Sequence, residues 1–134
     1  SMVMQAWGAY GVLWPVVHQQ LGVNPDMSRG LVSVVPLIPD GQPGVSATDI
    51  RLGTGSIDVT AHRTSTQLTT VVTRRVRAHL TIGHVLPRGA TVSSVTLNGS
   101  HTSYRTQDTA HGRQVVVDAG TASSGTDTLV VTLT

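Results

Sequence analysis

No cysteine, lysine, glutamate or phenylalanine occurs among the 134 residues. The missing cysteine excludes disulfides, thiolate metal sites and cysteine nucleophiles together, and it leaves the redox compartment open. Without glutamate, all carboxylate chemistry falls to aspartate, and without lysine every fixed positive charge is an arginine. The formal charge is only +2. No basic stripe interleaved with stacking aromatics exists, so the composition gives no nucleic-acid partner. Aromatic residues are few, and beyond residue 25 Tyr104 stands alone. The length is that of one domain, enough to bury a real core.

What is present divides into two textures. The run "MVMQAWGAYGVLWPVVHQQLG" from Met2 to Gly22 carries no charged side chain. Val3, Trp7, Tyr10, Trp14, Val17 and Leu21 recur at spacings of four and three, and Ala6, Ala9, Leu13 and Val16 form a second stripe beside them. This pattern predicts an α-helix that wants burial nearly all round. Pro15 implies a kink near Trp14, and Gly22 with Asn24 and Pro25 supplies the stop. The uninterrupted apolar stretch is shorter than the roughly 20 residues of a bilayer span, so no membrane crossing is expected. No basic segment precedes the run and no small-residue cleavage site follows it, which argues against a signal peptide. Residues 1–25 are therefore expected as an N-terminal helix. Trp7, Tyr10 and Trp14 would form its surface for another domain or for a second copy of the chain.

Residues 26–134 are expected as a β-domain: after a Pro/Gly-rich connector at 36–44, the period becomes two from Ile50 onward. Ile57, Val59 and Ala61 alternate with Asp58, Thr60 and His62. A long alternation from Leu68 to Val85 puts Val72, Val76, Ala78, Leu80 and Ile82 on one face and Arg75, Arg77 and His79 on the other. Asn98-Gly99 is a type I′ hairpin signal, with Ser103–Thr106 as the expected return strand. The runs 31–35, 113–120 and 128–134 read as further strands. The chain is thus expected to be mainly β, an antiparallel sandwich of seven to eight strands preceded by one helix.

Chemistry is sparse. Glycoside hydrolysis generally needs two carboxyl groups about 5–9.5 Å apart, and no aspartate has a sequence companion that would raise its pKa. His79 and His84 differ by five positions, so a strand turns them to opposite faces. With His62 they make no convincing metal site, and no cofactor is expected. The Arg75, Arg77, His79 row reads as a solvated face with Asp58 as a pairing partner. A sugar-binding face would have Tyr104 as its one flat aromatic, with Asn98, His101, Arg105 and Asp108 around the 98–108 hairpin.

The stretch "QAWGAYGVLWPVVHQQLGVNPD", followed by "IRLGTGSIDV", resembles a junction in bacterial six-hairpin glycoside hydrolases of the glucoamylase-like and glycogen-debranching type. There the last helix of an (α/α)6 barrel leads into a C-terminal β-sandwich. "VSSVTLNGSHTSYRTQDTAHGRQVVVDAG" and "DTLVVTLT" are similar to the strand pattern of such sandwiches. The resemblance implies a non-catalytic accessory domain that packs on and stabilises the catalytic barrel of the same parent chain. That clan keeps its catalytic carboxylates in the barrel, so no catalytic residue carries over. Two other readings stand beside it: a carbohydrate-binding module, and a structural or adhesive sandwich unrelated to sugars.

Overall fold

The computed structural model describes residues 20–134; residues 1–19 of the expected N-terminal helix, with Trp7, Tyr10 and Trp14, lie outside them, and its expected end is corrected, because Val23, Asn24 and Pro25 belong to a strand. Eleven strands run through the described residues: β1 (Val23–Asp26), β2 (Leu31–Val34), β3 (Gly44–Leu52), β4 (Gly55–Arg63), β5 (Gln67–Arg75), β6 (Ala78–Val85), β7 (Val92–Leu97), β8 (Ser100–His101), β9 (Arg105–Thr109), β10 (Gly112–Ala122) and β11 (Gly125–Leu133). They form a five-stranded sheet in the order β1-β2-β6-β10-β9 and a six-stranded sheet in the order β3-β4-β5-β11-β7-β8. All pairings are antiparallel except β2 with β6, which is parallel.

The two sheets share one core. Val45, Ile50, Ile57, Val59, Leu68, Val72, Leu129 and Val131 from the larger sheet meet Val32, Val34, Leu80, Ile82, Val115 and Val117 from the smaller one in a single buried cluster. Alternating side chains place these residues inward and their neighbours outward. Full burial of each Val, Leu or Ile contributes on the order of 1.5–3 kcal/mol.

The expected count of seven to eight strands is corrected to eleven, for four physical reasons. First, the alternation from Leu68 to Val85 is two strands, because the chain turns from one sheet to the other at Val76-Arg77. Both sheets face the same core, so the inward parity passes through the corner unchanged. Second, β3 hides its period behind a bulge: Val45 and Ala47 are buried before it, Ile50 and Leu52 after it. Third, Asn24-Pro25-Asp26 belongs to β1 and pairs with β2 despite its turn-like composition. Fourth, the return strand after Asn98-Gly99 is only Ser100–His101, and Arg105–Thr109 crosses to the edge of the other sheet. Asn98 and Gly99 have φ of 54° and 84°, as a type I′ turn requires.

Candidate functional site

The connections between the sheets gather at one end of the sandwich and enclose a cleft of about 890 Å³. The Pro-rich link after β2 supplies Leu37 and Asp40, the end of β4 supplies Arg63, and the end of β6 supplies His84. The β6–β7 link adds Arg88, the β9–β10 turn adds His111, and the start of β10 adds Arg113. Backbone hydrogen bonds fix these segments: Val85 N–H donates to Pro36 O at 2.9 Å, Leu86 N–H to Arg113 O at 2.8 Å, and Ala90 N–H to Pro87 O at 3.0 Å. A second, smaller cleft of about 250 Å³ shares Leu37, Val85 and His111 with the first.

His84 is the chemically distinctive group of this cleft. It is 1% exposed. The Thr70 hydroxyl donates to Gly83 O at 2.7 Å, so its oxygen is left to accept from His84 Nδ1–H at 3.0 Å. This network assigns the Nδ1–H tautomer and leaves Nε2 with a lone pair. Burial, reinforced by the nearby Arg63 charge, pushes the imidazole pKa down to about 4, so the ring is neutral at physiological pH. Three sealed side-chain atoms lack partners, namely Gln20 Oε1, Gln42 Oε1 and Arg74 Nε. His84 Nε2 has no hydrogen-bond partner among the described residues, and His84 is one of the residues that line the cleft.

The arginines of the cleft are differently engaged. Arg63 donates through Nη1 to Ile38 O at 3.3 Å and to Asp40 Oδ1 at 3.2 Å. Arg113 donates through Nε to Asp108 Oδ1 at 3.2 Å. The Asp40 and Asp108 side chains are 99% and 79% exposed, so neither pair is tightly held. Arg88 has no hydrogen-bond or ion-pair partner among the described residues.

Each of the seven aspartates of the chain has an arginine or histidine nitrogen within 3.6 Å: Asp26 with Arg29, Asp40 with Arg63, Asp49 with Arg51, Asp58 with Arg75, Asp108 with Arg113, Asp118 with His79 and Asp127 with Arg74. No hydrogen bond joins two carboxyl groups among the described residues. Hydrogen bonds from Arg75 hold the Asp58 carboxyl below its usual range.

The residues read as a sugar-binding face are distributed over a connection rather than grouped in the cleft. Asn98 is committed to structure: its Nδ2 donates to Asp127 Oδ1 at 3.0 Å, and its Oδ1 accepts from Thr128 N–H at 2.8 Å. His101 lies on β8 at the edge of the larger sheet. Arg105 and Asp108 lie on β9 at the edge of the smaller one. Tyr104 sits on the link between those edges and is 42% exposed, the one large apolar side chain so exposed among the described residues.

The Arg75, Arg77, His79 row is divided by the corner between β5 and β6. Arg75 Nη1 donates to Asp58 Oδ2 at 2.9 Å, and Arg77 Nη1 lies 3.4 Å from Ser123 Oγ. His79 contacts Thr121 Oγ1 through Nδ1 at 2.9 Å and Asp118 Oδ1 through Nε2 at 2.8 Å. A hydroxyl, an imidazole and a carboxylate thus stand in line, as nucleophile chemistry uses them. The line lies on an exposed strand face outside both clefts, and Asp118 Oδ1 also accepts from Gly120 N–H at 2.7 Å, which fixes the β10 bulge between Asp118 and Thr121. Spacing did not reveal this line, because the bulge sets which residues oppose His79.

His79 and His84 do face opposite sides, one partly exposed and one buried. Among the described residues no group of three or more His, Cys, Asp or Glu is placed to hold a metal ion. No helix among them is long and apolar enough to cross a membrane. No family model, curated protein or solved structure matches the chain.

Proposed function

We propose that the chain is a non-catalytic accessory β-sandwich of a glycoside hydrolase, coupled to the catalytic barrel through its apolar N-terminal stretch. The observation that carries the non-catalytic part is the pairing of every aspartate with an arginine or histidine. A glycosidase acid needs a carboxyl whose pKa is raised by an apolar site or by a second carboxylate. Asp58 is displaced the other way, held below its usual range by hydrogen bonds from Arg75.

The coupling part rests on the charge-free run from Met2 to Gly22 and its resemblance to a barrel's last helix. Sandwich surface chemistry is consistent with it: a platform for neutral sugars normally offers several flat aromatics, whereas Tyr104 is alone. The test has two arms. Incubation with α-glucans, maltooligosaccharides and aryl glycosides should give no turnover; turnover abolished by changing one aspartate would overturn the non-catalytic reading. Sequencing the reading frame upstream should reveal a helical-hairpin domain; a frame encoding none would overturn the accessory assignment.

A further inference from the structure

The cleft at the end of the sandwich combines two features that a purely structural end would not need. One is a neutral imidazole with an unused acceptor, His84 Nε2, at a wall that is otherwise buried. The other is a set of guanidinium groups with donors to spare: Arg88, without a partner among the described residues, and Arg63 and Arg113, each of which engages its aspartate through a single nitrogen. A guanidinium offers five N–H donors, so both partnered arginines keep several.

The two features ask for different things. A lone pair on a buried nitrogen is satisfied by a hydroxyl donor, and desolvation makes leaving it unpaired costly. Guanidinium groups are satisfied by a carboxylate or phosphate, to which they donate in a planar fork. Besides Asp40, Thr91 and His111, the remaining wall is largely aliphatic, with Leu37, Ile38 and Leu86, and among the described residues it holds no Trp or Tyr. Among these residues a neutral sugar finds no Trp or Tyr face to stack on, and a bare anion would leave Nε2 unanswered. The volume of about 890 Å³ lies in the range of small-molecule sites.

We propose that this cleft binds a hydroxylated carboxylate of the sugar-acid class, with Arg88 and Arg113 taking the carboxylate and His84 Nε2 accepting a hydroxyl. Thr70 is a positioning residue, because its hydroxyl fixes the tautomer that leaves Nε2 as an acceptor. The exposed Asp40 and Asp108 serve as placeholders that a ligand carboxylate displaces from Arg63 and Arg113. This ligand site goes beyond the accessory role, which calls for no ligand, and either reading can fail alone.

The experiment is a titration of the full chain with D-glucuronate, D-glucose and acetate, read by the long-range ¹H–¹⁵N spectrum of the histidine rings and by calorimetry. Glucuronate should move the His84 Nε2 resonance to higher field in a saturable way. Glucose, lacking the charge, and acetate, lacking the hydroxyls, should each bind at least about tenfold more weakly. Arg88→Ala, an exposed side chain whose loss leaves the core intact, should weaken glucuronate by about tenfold or more without moving the unfolding midpoint. Three results would overturn the proposal: no saturable change at His84, acetate binding as tightly as glucuronate, or an Arg88→Ala variant with unchanged affinity. Arg113→Ala gives a second rim variant that does not touch the core.

Discussion

Arg74 and Asp127 form an ion pair between β5 and β11, with Nη2 2.8 Å from Oδ2 and side chains only 3% and 13% exposed. Arg74 Nη1 continues inward to Ala78 O and Gly120 O, each at 2.8 Å, so one guanidinium of the larger sheet ties down two strands of the smaller. Asn98 holds the other carboxylate oxygen.

Removing one partner of such a pair leaves an uncompensated buried charge and costs about 3–5 kcal/mol. Asp127→Ala is expected to lower stability by that order in urea unfolding. Arg74→Met should cost a similar amount, because it leaves the Asp127 carboxylate with Asn98 as its remaining side-chain donor and strands the carbonyls of Ala78 and Gly120, although it also removes the sealed, unpartnered Nε. Equal stability of Asp127→Ala and the parent would show that the pair carries no weight.

The His84 imidazole makes stability depend on pH with a definite sign. Its folded pKa of about 4 lies below the ordinary value of 6.5, so between these values the unfolded chain binds more protons. Stability is therefore fully present above about pH 6.5 and is lost as pH falls toward 4, by roughly 3 kcal/mol across the window. Asp58, also depressed, adds a loss in the same direction at lower pH. Unfolding midpoints followed from pH 7 to 4 should show the decline, and His84→Gln should flatten it. An identical slope in the variant would assign the effect elsewhere.

Asp49 has φ of 55° within the β3 bulge, a left-handed conformation that costs a non-glycine residue about 1 kcal/mol or more. Its backbone N–H donates to Asp58 Oδ1 at 2.8 Å, and Arg75 binds the same carboxylate. Asp49→Gly should be neutral or stabilising by up to about 1 kcal/mol, whereas Asp49→Val should destabilise by more than that. Asp58→Ala should lose about 1–2 kcal/mol, since it frees both the bulge and Arg75. Thermal unfolding of the three variants orders them, and a stabilised Asp49→Val would contradict the strain argument.

The sheet character was legible wherever one strand kept one phase. Ile57, Val59 and Ala61 are all fully buried on β4, as their alternation requires. Asn98-Gly99 turned where its chemistry said it would. Legibility failed where topology acts without altering the local pattern. The corner at Val76-Arg77 preserves parity, so nothing in the residues marks it. Arg74 has the inward parity of its strand, yet a charged residue at that position could be assigned inside only once Asp127 was known to lie beside it. His84 was readable as facing away from His79, but the cleft beside it is assembled from segments as far apart as Leu37 and Arg113, and no spacing along the chain encodes their meeting.

The consecutive strands β10 and β11 do not pair with each other but lie in different sheets. β10 is inserted between β6 and β9, and β11 between β5 and β7. Both layers thus receive an interior strand from the stretch between Gly112 and Leu133. During synthesis the β3–β4–β5 meander can assemble from neighbours alone, but the remaining strands have incomplete hydrogen-bond ladders until this stretch emerges. Commitment of the two sheets to the native state therefore waits for the stretch from Gly112 to Leu133, and a nascent chain halted before Gly112 presents two unfinished edges to whatever else it meets.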